Sequence, residues 1–67
     1  MSTKFIIKIG RSYYSEKNNC KIGNKNMATS YSTKEQAVDK LKQIADRYTN
    51  KEFSILKVIE EEIKINL

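Results

Sequence analysis

Cys20 is the only cysteine of a 67-residue chain that contains no histidine, and together these facts constrain its fold more than any other feature. A chain this short buries only roughly 60% of the surface its unfolded form exposes, and one core of this size rarely supplies more than about 3–5 kcal/mol. Small domains make up the shortfall with disulfides, a metal or association. A lone cysteine excludes an intramolecular disulfide, and without histidine it cannot complete a structural zinc site. The expectation is one domain over residues 1–67, stabilised by its own core and by docking, either onto itself or onto a partner.

The pattern of the chain reads as α+β. Apolar residues at Ala37, Val38, Leu41, Ile44, Ala45 and Tyr48 make one continuous helical stripe. Ser32-Thr33-Lys34-Glu35 fits a capping box, with Ser32 accepting from the Glu35 N–H and the Glu35 side chain reaching back to Ser32. A helix from about Thr33 to Tyr48 follows, closed by Asn50 in a left-handed conformation. Asp39–Lys42 and Lys42–Asp46 are spaced to pair across one turn.

Before the helix, Ile9-Gly10-Arg11-Ser12 has the form of a type II′ hairpin turn. The register it implies sets Ile9 opposite Ser12, Lys8 opposite Tyr13, Ile7 opposite Tyr14 and Ile6 opposite Ser15. Phe5, Ile7, Ile9 and Tyr14 then share the face that receives the helix, and Lys4, Ile6, Lys8 and Tyr13 share the other. Residues 16–31 are polar and turn-prone, with Cys20 and Ile22 suited to a short strand or a buried peg. After the helix, Glu52 to Ile59 reads as a strand with Phe53, Ile55 and Ile59 on one face and Leu56 and Val58 on the other. Ile63, Ile65 and Leu67 alternate again beyond Glu60-Glu61-Glu62. The predicted fold is a small antiparallel sheet with one amphipathic helix on one face, in the order β-β-α-β. A parallel pairing of the second and last strands is one way to complete it.

The charge is asymmetric. Lys4, Lys8, Arg11, Lys17, Lys21 and Lys25 stand against Glu16 alone in residues 1–31, which carries the whole +5 of the chain. Such a distribution fits a nucleic-acid partner, an acidic protein partner, or a solvated surface that keeps a small protein soluble. No secretory signal and no run of about 20 apolar residues is present, and an unpaired cysteine suits a reducing compartment, so a cytoplasmic location is expected.

Catalysis has little to work with. Histidine is absent, Cys20 lacks a base, and Gly10 and Gly23 stand alone and form no phosphate loop. The Glu60–Glu62 run reads as a solvated strand end or a gatekeeper against edge pairing, and Cys20 as a small semi-buried side chain. Neither an enzyme activity nor a cofactor nor a metal site is expected. The candidate partner-binding residues are Lys4, Ile6, Lys8, Arg11, Tyr13, Lys17, Lys21 and Lys25, a basic surface with an aromatic platform. Such a surface can anchor a protein through Tyr13, stack a base, or pack under the tail or a dimer mate.

Lys4-Phe5-Ile6-Ile7-Lys8-Ile9-Gly10, then Tyr13-Tyr14-Ser15, then Tyr31-Ser32-Thr33-Lys34-Glu35-Gln36-Ala37 together resemble the small ββαβ accessory proteins of Gram-positive bacteriophages, over residues 4–48. The resemblance implies a phage or mobile-element protein acting in the host cytoplasm. It would bind and inhibit a host protein or ribonucleoprotein, such as a CRISPR or other defence nuclease. The +5 charge argues against acidic DNA mimicry. A small basic nucleic-acid-binding protein is the alternative, and a homodimeric structural subunit the third.

Overall fold

In the computed structural model, which describes residues 2–66, Gly10 turns the chain at φ +60° while Arg11 keeps a negative φ. A positive φ confined to the first turn residue is the type II′ pattern, and a side chain at that position would be strained. The turn joins β1 (Ser2–Ile9) to β2 (Ser12–Ser15), with Lys8 opposite Tyr13 and Ile9 opposite Ser12 as expected.

The hairpin register then ends. Ile7–Tyr14 and Ile6–Ser15 do not form, because β4 (Ser30–Tyr31) enters beside β1 and pairs Ser30 with Ile6 and Tyr31 with Phe5. Two contacts hold this insertion open: the Thr29 N–H donates to the Tyr14 carbonyl at 3.1 Å, and the Glu16 N–H donates to Thr29 Oγ1 at 2.8 Å. β2 peels outward and takes a new partner, β3 (Cys20–Ile22). The short-strand alternative for Cys20 and Ile22 therefore holds, and residues 16–31 contribute two strands to a five-stranded sheet.

The helix α1 spans Lys34–Ile44 and closes through a 3-10 turn at Ala45–Arg47. Its cap lies one residue later than the sequence suggests. Thr33 is the N-cap and accepts from the Gln36 N–H at 3.2 Å, while Gln36 Oε1 accepts from the Ser32 N–H and hydroxyl. Thr33 and Gln36 keep the threonine-to-glutamine spacing of a capping box, with the Gln36 side chain reaching Ser32, one residue before the cap. Asn50 takes φ +66°, the left-handed stop expected there. The ion pairs of the described residues are Lys40–Glu16 at 3.3 Å and Lys4–Glu60, in place of the pairs expected along the helix.

β5 (Phe53–Glu60) lies antiparallel to β1 along its full length, from Ser2 opposite Glu60 to Ile9 opposite Phe53. This corrects the parallel pairing with the second strand. β2 already has β1 and β3 on its two sides, whereas β1 offers a free edge of eight residues that matches β5 in length. β4 and β5 both run against β1 and hence parallel to each other, and α1 is the crossover between them. That crossover holds α1 over one face.

Ile7, Ile9, Tyr14, Ala37 and Ile44 form the buried centre beneath it, ringed by Phe5, Tyr31, Leu41, Tyr48, Phe53 and Ile55. No helix of the described residues is long and apolar enough to cross a membrane.

Candidate functional site

Among the described residues the one α-helix packs on the Ile7–Ile9 face of the sheet, and the other face carries Lys4, Ile6 and Lys8 of β1. Alternation along β1 and the observed registers assemble it row by row. Lys8 lies between Ser54 and Tyr13, and Tyr13 lies in turn beside Ile22 of β3. Ile6 lies between Leu56 and Ser30, and Lys4 beside Val58. Tyr13, Ile22, Leu56 and Val58 are each partly buried and partly open to solvent. Lys8 and the buried Ile6 of the central strand separate Tyr13 and Ile22 on one side from Leu56 and Val58 on the other.

The sequence-derived candidates divide on this geometry. Lys8 and Tyr13 are brought side by side, and Arg11 is exposed at the adjoining turn. Ile6 is on the open face but only 2% exposed. It belongs to the central strand, with neighbours on both sides, and so supports the surface without contacting a partner. Lys4 is engaged by Glu60.

Lys21 is on the opposite side: it pairs with Tyr14, and its ammonium sits 5.9 Å from the Tyr48 ring centroid. Lys17, in the turn after β2, and Lys25, in a 3-10 turn at Lys25–Met27, are exposed. The eight candidates are therefore not one patch. Cys20 is exposed rather than semi-buried, at the start of β3, the strand at the outer edge of the sheet.

Ile22 is the contributor that sequence reasoning missed. Its signal was the Cys20-Lys21-Ile22 alternation, which points Ile22 to the Tyr13 face once β3 is accepted as a strand.

A second polar cluster lies at the margin of the core. Tyr31 has a buried hydroxyl without a hydrogen-bond partner among the described residues. Burial pushes this hydroxyl well above the ordinary tyrosine range, and the Glu16 carboxylate nearby adds to the rise. Glu16 is itself paired to Lys40. Across the turn after β2, Asn19 at φ +51° accepts from Arg47 at 2.8 Å and from the Tyr14 hydroxyl at 3.4 Å. These contacts tie the 16–19 turn to the helix end.

Surface concavities lie at Ser2 and Glu60–Glu62 and on the outer face of α1 around Val38, and neither includes Tyr13 or Lys8. Among the described residues no group of three histidine, cysteine or carboxylate side chains converges as a metal site would require. Comparison with known protein families, curated proteins and solved structures finds no match to this chain.

Proposed function

We propose that the chain is a non-catalytic binding protein that docks a protein partner on its open sheet face, with Tyr13 as the anchor. The observation that carries the reading is the one-sided cover of the sheet. α1 packs over the Ile7 and Ile9 side, while Tyr13, Ile22, Leu56 and Val58 are partly buried on the other, with no helix over them among the described residues. A partly buried tyrosine flanked by Ile22 and Lys8, with Arg11 at the adjoining turn, suits a partner surface that joins apolar and acidic groups. A host defence nuclease or other host protein, the class implied by the resemblance to phage accessory proteins, is the first partner to test, with the host cytoplasm as the setting.

A small basic nucleic-acid-binding protein is the second reading. The adjacency of Lys8 and Tyr13 favours it, since a cation beside an aromatic ring can hold a phosphate and stack a base. Two observations weigh against it: Glu60 neutralises Lys4, and Lys21 faces the helix side.

Affinity capture from host lysate, with and without nuclease, separates the two. The protein reading expects a captured protein that survives nuclease treatment and is lost with Tyr13→Ala. Capture that disappears on nuclease treatment overturns it.

A further inference from the structure

β5 is an edge strand: among the described residues it pairs with β1 alone, leaving its outer backbone groups over Phe53–Glu60 unpaired. Three of the exposed large apolar side chains lie on it or just beyond it, Ile59 at 57%, Ile63 at 75% and Ile65 at 71%. Residues 61–66 take no regular structure. The molecule measures 51 × 23 × 19 Å with a radius of gyration of 13.5 Å, against about 11 Å expected for a compact domain of this length. A long, unpaired and apolar edge is normally covered or blunted.

We propose that the occupant of this edge is a second copy of the same chain. The two β5 strands pair antiparallel about a two-fold axis at Ile59, and residues 61–65 of each extend β5 along the partner. The sequence of this edge is self-complementary in one register. With Ile59 opposite the partner's Ile59, Lys57 meets the partner's Glu61, Ile55 meets the partner's Ile63, and Phe53 meets the partner's Ile65. Every position on the helix-side face is matched, apolar to apolar and cation to anion.

Sliding the pairing by two residues destroys the match. In one direction Lys57 faces the partner's Ile59 and Glu61 faces the partner's Ile55. In the other, Lys57 faces the partner's Ile63 and Glu61 faces the partner's Ile59. The favoured register also continues the rows already in the sheet: Ile7–Ile55 is extended by the partner's Ile63, and Ile9–Phe53 by the partner's Ile65. Lys57 interrupts the apolar face of β5, and Glu61 interrupts the alternation of the tail. In this register each is the other's partner.

On the opposite face the partner's Glu60 and Glu62 lie beside Val58 and Leu56, in the rows that lead to Lys4 and Ile6. A two-fold axis perpendicular to the sheet sets both helices on one side and both open faces on the other. The dimer therefore joins two docking faces into one continuous surface, which goes beyond the binding role proposed above and does not depend on it.

Sedimentation of the full chain across low to high micromolar concentration tests the assignment. A dimer is expected. Lys57→Glu should weaken it at least about tenfold, because each of two attractive cross-strand pairs becomes repulsive. Glu61→Lys should do the same, and combining the two should restore the dimer by reversing both pairs. Lys57 and Glu61 are exposed in the single chain, so an unchanged melting curve of the dilute variants confirms that they fold. A wild-type chain that stays monomeric, or a dimer indifferent to Lys57→Glu, overturns the proposal. A double variant no better than the single ones overturns the register. Capture of a protein partner by the open face is read separately and survives either failure.

Discussion

Ile44→Ala is the perturbation that loads the architecture most directly. Ile44 is 1% exposed and sits in the cluster with Ile7, Ile9, Tyr14 and Ala37. Truncation to alanine removes three carbons, about 2.4 kcal/mol at ~0.8 kcal/mol per buried methylene. A cavity term adds to this, which places the loss in the 2–5 kcal/mol range of buried isoleucine truncations. The whole domain has about 3–5 kcal/mol to lose. Urea denaturation followed by far-UV circular dichroism should therefore show a midpoint shifted far down, or a chain largely unfolded without denaturant. Met27→Ala is the control, since Met27 is 64% exposed and a surface change of that kind stays within about 0.5 kcal/mol. If Ile44→Ala and Met27→Ala give the same midpoint, α1 does not pack on the Ile7–Ile9 face and the fold described here is wrong.

Thr33→Ala should cost about 1 kcal/mol by removing the acceptor for the Gln36 N–H, whereas Ser32→Ala costs less, and equal effects in thermal melts would return the cap to Ser32. Tyr31→Phe removes a buried hydroxyl that has the Glu16 carboxylate nearby and should shift stability by no more than about 1 kcal/mol, read from the denaturation midpoint. The folded Tyr31 pKa lies above its unfolded value, so its contribution is complete below pH about 10 and is lost as pH rises beyond the unfolded tyrosine value. The Tyr31→Phe chain should consequently lose less stability between neutral and strongly alkaline pH than the wild type, and an identical pH profile would count against the burial of that hydroxyl.

The elements governed by local chemistry were legible in the sequence. The Gly10-Arg11 turn fixes its own backbone, so the first two hairpin pairs followed from it. The helix stripe names its buried side through Ala37, Leu41, Ile44 and Tyr48, although Val38 of the same stripe lies at a surface concavity on the outer face, and Asn50 names its end. What was not legible depends on contacts between distant segments. Nothing local in Ser30-Tyr31 says that two residues will displace β2 from β1, since that insertion rests on Thr29 bonding to Tyr14 and Glu16.

The same limit applied to the candidate site. Tyr13 and Lys8 follow from the turn, but the burial of Ile6 depends on β4 and β5 flanking β1. The reversal of Lys21 depends on the register of β3. The Lys4–Glu60 pair required knowing that β5 runs back along β1, for which the equal lengths of the two strands were the available sign.

The central claim is that the open face docks a protein and does not grip nucleic acid. Fluorescence anisotropy of the chain with labelled single-stranded and duplex DNA and RNA, titrated from low to physiological salt, tests it most directly. The account predicts weak binding that vanishes by physiological salt, as expected of a few unspecific phosphate contacts. Tight binding at physiological salt, lost together on Lys8→Ala and Arg11→Ala with a flatter salt slope, would contradict it.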